Sequence, residues 1–217
     1  MTALLKAKAS RPVTFSSWQK DWNAWTEKYI APGLREKQFD LVVETLGEDV
    51  FSFPLVTEAF SEDMIRFAEK QEKWTTDRHK FYPTTDVTLK ELGLDALYSK
   101  ILAEFAHPVA RWVWGLEDPS WISDIREENF MARYRAQDQQ HLSVHHDYAE
   151  YTFTVGLNTD FEGGGTYFPH QEILGNPRGG YATLFPSITH PHGGRPTTKG
   201  TRYIIVSFCS RKAPYAK

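Results

Sequence analysis

Cysteine is nearly absent: Cys209 is the single one in 217 residues. No disulfide can close within the chain, which excludes a secreted disulfide scaffold and makes a cysteine-built zinc site implausible. An excess of one charge is also missing. The 25 Lys+Arg stand against 28 Asp+Glu, a net charge of -3, which supplies no general field for gripping a nucleic acid or an anionic membrane. Neither is expected as a partner. Long apolar runs are lacking too. The opening Met-Thr-Ala-Leu-Leu-Lys breaks off before the ~7–15 apolar residues of a signal-peptide core, and nothing approaches the ~20 of a membrane span. The expectation is a soluble domain without its own signal peptide, its compartment left open because a preceding segment would carry that information.

Large apolar residues are abundant. Hydrophobic residues make up 41% and aromatics 14%, with seven Trp, ten Tyr and fourteen Phe, too rich for disorder. At this length one core suffices, since a chain of this size buries ~70% of the surface its unfolded form exposes. No repeat period or low-complexity run appears. Gly and Pro gather in the last third, so the chain divides near residue 125 into a helical front and a strand-rich back. In the front, Trp18, Trp22, Trp25 and Tyr29 fall on one face of a helix expected to start at Ser16 or Ser17 and to end at Pro32-Gly33. Residues 50–54 read as a short strand whose proline favours a sheet edge. A helix capped by Ser61 follows, with Met64, Phe67 and Ala68 inward. Another begins near Asp95, with Leu97, Tyr98, Ile101, Leu102 and Phe105 inward, and Pro108 is expected to kink or end it.

From Asn129 the pattern becomes short alternating runs at 130–134, 151–157, 166–168, 181–185 and 201–208. Turn signals at 162–165, 175–177, 179–180 and 193–194 separate them. The expected fold is α+β: a jelly-roll, cupin-like double-stranded β-helix with the helices packed on one side. The glycines 163–165 read as a hairpin turn, because the pattern of a phosphate-binding loop is missing and no helix follows.

Three features on the strand-rich half carry chemistry: His145-His146-Asp147, His190-Pro191-His192 and Arg202. In extended chain, residues two apart point the same way, so His145 and Asp147 can face one point while His146 faces away. A third ligand from His192 or His190 completes two histidines and a carboxylate on one face of a metal, the set that suits non-haem Fe(II); zinc enzymes use related sets, so the triad alone does not fix the metal. Arg202 lies ten residues after His192 and opens an apolar strand, with Ile204 and Val206 on its face and Thr201 and Tyr203 on the other. An inward guanidinium needs a partner, and the far carboxylate of a dicarboxylate cosubstrate supplies one. The spacing to the arginine favours His192 over His190. His79, His107, His141 and His170 read as structural or solvent-facing. Asp160 and Glu162 read either as a solvated turn or as a lure for a cationic side chain.

His-x-Asp, then His, then Arg ten residues later resembles the Fe(II)- and 2-oxoglutarate-dependent dioxygenases. The segments 158–165 and 195–208, with 49–54 and 82–87, narrow the likeness to the catalytic domain of procollagen-lysine 5-dioxygenases, over residues 48–217. Residues 1–47 then form a helical segment of the same unit. The resemblance implies His145, Asp147 and His192 as iron ligands and Arg202 as the 2-oxoglutarate anchor. Tyr134 reaches the cosubstrate, and Thr154 and Asn158 are further pocket candidates. It also implies hydroxylation of lysine in collagen-like X-Lys-Gly sequences, consuming O2 and giving 5-hydroxylysine, succinate and CO2. L-ascorbate as reductant, a homodimer, and relatives in the endoplasmic reticulum or in giant viruses belong to the same expectation. The chain departs from animal relatives at Thr166, where they carry Cys, and at Arg195, where they carry Leu. A prolyl or other peptidyl hydroxylase keeps the same ligands; a non-catalytic jelly-roll binding module would more often have lost one.

Overall fold

Strand β13 (Thr201–Arg211) is the spine of the molecule. In the computed structural model, which describes residues 14–79, 81–118, 121, 124–175 and 178–211, β13 pairs along its whole length with β4 (Ile125–Arg135) and on its other side with β6 (Tyr151–Gly156). β10 (Tyr181–Pro186), β2 (Val50–Pro54) and β1 (Glu44–Gly47) extend the sheet one way, and β3 (Thr85–Thr88) closes the other edge. The order is β1-β2-β10-β6-β13-β4-β3, all antiparallel. A smaller sheet, β5-β11-β8-β9, is built from Leu142–His145, His192–Gly194, Thr166–Phe168 and Ile173–Leu174. A ribbon pairs β7 (Glu162–Gly163) with β12 (Thr197–Lys199). These are the two sheets of the expected jelly roll.

Strand alternation splits the large sheet into two faces with different tasks. Met131, Phe153, Val155 and Ile205 join the main core with Trp25, Tyr98 and Ile101 from the helices. The other face, with Phe130, Ala132, Tyr134 and Ile204, forms a separate cluster and looks toward the small sheet. Helices thus cover one side, and the second side is free to hold a site.

Several local expectations need correction. The aromatic stripe is not one helix from Ser16 or Ser17. A 3-10 turn at Phe15–Ser17 precedes α1 (Trp22–Tyr29), whose true cap is Asp21, its side chain accepting the Ala24 N–H at 3.0 Å. Asp captures an orphan donor at the helix start, and Trp18 falls outside. Pro32 does not end α1; it opens α2 (Pro32–Arg35), where its missing N–H costs nothing. The 50–54 strand is internal, because its proline is the last residue and pairs with Tyr181. The helix after it, here numbered α4 (Glu58–Gln71) after α3 (Phe39–Val42), is capped by Thr57; Ser61 is buried within it. Pro108 neither ends nor breaks the next helix. Between α5 (Asp95–Ile101) and α6 (His107–Val113) the chain passes through a π turn, Leu102–Ala106, with the His107 N–H reaching back to the Leu102 carbonyl. Widening the turn accommodates a residue that cannot donate. The glycines 163–165 are no hairpin: all three have positive φ and carry the chain from the β7–β12 ribbon into β8 of the other sheet.

The opening residues 1–13 and positions 176–177 of the 175–177 turn lie outside the described residues. Among the described residues no helix is long and apolar enough to cross a membrane.

Candidate active site

His145 ends β5 and His192 opens β11, and the two are direct partners in the small sheet. Gly193 permits this approach, since a Cβ there would lie 2.8 Å from the Leu142 carbonyl oxygen. Asp147 follows His145 by two residues, so extended geometry returns it to the same side. The His145 Nε2 and His192 Nε2 atoms lie 3.2 and 3.4 Å from the two Asp147 oxygens. One donor atom from each of the three residues falls within 4.8 Å of the others. All three side chains are buried.

Backbone carbonyls decide which ring nitrogen faces that point. His145 Nδ1 donates to the Ser143 carbonyl at 2.8 Å and His192 Nδ1 to the His190 carbonyl at 3.0 Å. Each Nε2 is thereby turned toward Asp147, the arrangement that prepares an imidazole for a metal. Thr152 holds the carboxylate, its hydroxyl donating to Asp147 at 2.7 Å and lying 2.8 Å from Ser187 Oγ. Burial alone would push the Asp147 carboxyl up, but hydrogen bonds from His145 and Thr152 and the nearby imidazoles bring it below the usual range. Burial pulls the His192 imidazole down. Burial opposes it, but hydrogen bonds with Asp147 and with the Ser143 carbonyl raise the His145 imidazole above its ordinary value, so a divalent cation would take the place of the proton that His145 shares with the ionised carboxylate.

The triad opens on a cavity of about 1080 Å³ between the sheets. Arg202 lies in its wall and is buried. Its Nη2 donates to Thr166 Oγ1 at 3.1 Å, and the guanidinium lies 5.4 Å from the Tyr134 ring centroid. Among the described residues no carboxylate lies within ion-pair distance of it. Burial pulls this guanidinium down from its ordinary value, with Tyr134 offsetting part of the effect, yet an arginine stays protonated. A buried cation without an anion is costly unless a ligand brings one. The cavity therefore suits a dicarboxylate held by the metal at one end and by Arg202 at the other.

Comparison with known proteins agrees. Residues 130–210 match the family described as the 2OG-Fe(II) oxygenase superfamily. The chain carries a 2OG-Fe(II) oxygenase domain. The human multifunctional procollagen lysine hydroxylase and glycosyltransferase LH3 is 34% identical over 200 residues, covering 85% of this chain and 27% of that protein. Mouse procollagen-lysine,2-oxoglutarate 5-dioxygenase 2 is 31% identical over 198 residues, covering 85% and 26%. The chain spans about a quarter of the length of these relatives. Among solved structures, the viral collagen prolyl hydroxylase vCPH from Paramecium Bursaria Chlorella virus-1 superposes with a TM-score of 0.52 at 17% identity, covering 77% of this chain and 98% of that one. The carbocyclase SnoK from nogalamycin biosynthesis reaches 0.57 at 12% identity, covering 75% and 80%. These two likenesses concern the fold. The donor set suits Fe(II), and the unsatisfied Arg202 suits 2-oxoglutarate.

The remaining expected residues of this oxygenase domain distribute as follows. Tyr134 and Thr154 line the cavity, and burial pushes the Tyr134 phenol up to about 12, so it stays protonated. Asn158 does not line it. Its amide donates to the Thr201 carbonyl at 2.7 Å and accepts the Tyr203 N–H at 2.8 Å, bracing the entry to β13 behind Arg202. His146 is exposed at the rim. His190 is turned away, its Nε2 lying 3.0 Å from the Glu48 carbonyl oxygen. His107 is structural, between Tyr151 and Glu127, whereas His79, read from the sequence as structural or solvent-facing, lines the cavity. Asp160 and Glu162 stand apart from the cavity, engaged by Asn158 and Lys199. The charged residues of the cavity lining that sequence reasoning missed include Arg78, Arg126, Glu127 and Glu128. Alternation along β4 was the available signal, since Tyr134, Ala132, Phe130 and Glu128 share one face.

Proposed function

We propose that this chain hydroxylates C5 of lysine in collagen-like X-Lys-Gly sequences. The observation that carries this reading is the 31–34% identity to procollagen lysine hydroxylases across 85% of the chain. In this reading His145 Nε2, Asp147 and His192 Nε2 hold Fe(II). Arg202 pairs with the far carboxylate of 2-oxoglutarate, Thr166 steadies its guanidinium, and Tyr134 offers its hydroxyl or ring to the same ligand. Thr154 shapes the floor beneath the cosubstrate, and Asn158 supports Arg202 from behind. When iron, 2-oxoglutarate and O2 are bound, the chemistry supplied is insertion of one oxygen at lysine, coupled to decarboxylation of the cosubstrate to succinate and CO2. The protein's part is to fix the three donors, aim both Nε2 atoms at one point and exclude bulk water with Phe130, Ile204 and Val206.

Residues 1–47 belong, in this reading, to the same unit as 48–217. Trp25 and Tyr29 lie fully buried in the shared core, and β1 pairs with β2, which support it. A collagen-like polypeptide as partner, L-ascorbate as reductant, a homodimer, and the endoplasmic reticulum as the compartment rest on likeness to relatives.

Mass spectrometry of X-Lys-Gly and X-Pro-Gly peptides incubated with Fe(II), 2-oxoglutarate and O2 tests the proposal. One oxygen on Lys and none on Pro is expected. Modification of Pro alone, or succinate release with neither peptide altered, overturns the substrate. Iron binding to His192→Ala and His190→Ala tests the ligand set: the first is expected to lose it and the second to keep it.

A further inference from the structure

Among the described residues three acids border the cavity: Asp147, Glu127 and Glu128. Asp147 belongs to the triad. The carboxylate of Glu127 points to the far side of the sheet, where it is engaged by His107 at 2.7 Å and Asn129 at 3.2 Å. Glu128 remains, on the cavity face of β4.

Strand register places Glu128 with respect to the reacting centre. Phe208 on β13 is the partner of Glu128 on one side and of Thr152 on the other. Thr152 is the residue whose hydroxyl holds Asp147. Glu128 therefore lies in the same row of the sheet as Thr152, two strands across and about 10 Å from it by the usual strand spacing. Phe208, Val206 and Phe130 wall the space beside that row, an apolar trough that suits a run of methylenes.

Arg78 holds Glu128 there, its Nη2 2.5 Å from Glu128 Oε1 and its Nη1 2.5 Å from the fully buried Asp86. The guanidinium lies 5.0 Å from the Phe130 ring centroid. One guanidinium faces two carboxylates, which leaves the group a formal charge of minus one beside the trough. His79, which also lines the cavity, approaches Asp86 at 3.5 Å, and Arg126 lies two residues before Glu128 on the same face. The Glu128 side chain is 56% exposed, so it keeps lone pairs for a second cation.

We infer that Glu128, aimed by Arg78, accepts the ammonium group of the substrate lysine and so selects lysine over uncharged side chains. The inference rests on the lysine reading above. A lysine passing along the trough carries its C5 to the triad and its charge two bonds beyond, toward a cavity-face carboxylate not committed to the metal.

The test measures binding of two peptides to the full chain: X-Lys-Gly, and the same peptide with norleucine, which keeps the carbon chain through Cε and lacks the charge. The wild type is expected to prefer lysine roughly five- to ten-fold, the range of a charge-assisted contact in partly exposed surroundings. Glu128→Gln should bring the two affinities within about two-fold, and Glu128→Asp should restore part of the preference. Comparing two ligands on one variant cancels any loss of folded protein. If Glu128→Gln keeps the wild-type preference while the wild type oxidises lysine, the role of Glu128 is overturned and the lysine reading stands. If the wild type oxidises no lysine peptide, the lysine reading fails and this inference falls with it.

Discussion

A histidine serves as a ligand here because its other nitrogen is already occupied. His145 and His192 each spend Nδ1 on a backbone carbonyl, while His190 spends Nε2 on the Glu48 carbonyl. All three belong to short His-rich motifs of similar appearance; backbone geometry separates them. The His145/Asp147 pair was legible from period-two alternation alone. Choosing between His190 and His192 needed the spacing to Arg202. Thr166, read from the sequence as a departure that bears on the substrate groove or a subunit contact, instead lies against Arg202 and accepts a hydrogen bond from it. Arginine presents two coplanar donors to a carboxylate and lysine a single point charge. Arg202→Lys is therefore expected to weaken 2-oxoglutarate binding about 10- to 100-fold, measured by calorimetry on the metal-loaded protein, with iron affinity little changed. Equal binding by both proteins would remove Arg202 from the cosubstrate's site.

At the scale of elements, β4 does two jobs through one alternation. Its even-numbered residues 128–134 look into the cavity, and Glu127 and Asn129 look into the helical side. There Glu127, His107 and Tyr151 form a buried chain that ties α6 to the sheet. Burial pushes the Glu127 carboxyl up, but the hydrogen bonds from His107, Ser99 and Asn129 outweigh it and hold the group below the ordinary range. A carboxyl depressed in the folded state adds stability above its unfolded pKa, and that stability is lost as pH falls through the folded value. Thermal melts of the wild type should thus fall as pH is lowered through and below about 4.5, and Glu127→Gln should flatten that part of the profile while starting from a lower melting temperature at pH 7. Parallel profiles would exclude Glu127 from acid sensitivity. The helices were legible as helices, but their ends were not. Asp21 and Thr57 outcompete the serines chosen from the sequence because each has the free N–H within reach, and the π turn before Pro108 leaves no clear mark in composition.

For the whole molecule, the helical front is a structural support for the catalytic half. Trp25 is fully buried, stacks on Trp22 with centroids 5.2 Å apart, and donates its indole N–H to the Phe15 carbonyl at 3.0 Å. Removing so large a side chain from a packed core costs about 3–5 kcal/mol. Trp25→Ala should lower denaturant stability by that amount while leaving the iron affinity of the folded fraction near wild type, since Trp25 lies across the large sheet from the cavity. A loss of iron binding with little change in stability would overturn this division of labour.

The sequence by itself determined the chemistry on offer: two histidines and an aspartate at strand spacing, an arginine ten residues on, one cysteine, balanced charge and enough aromatic mass for one core. Those are matters of residue type and short-range periodicity. The tertiary structure alone decided which ring nitrogens face the metal point, that Arg202 meets no carboxylate among the described residues, and that Glu128, Arg78 and His79 border the same cavity. These depend on the register of strands distant in the chain, and register is set by how whole faces bury, which no local pattern carries.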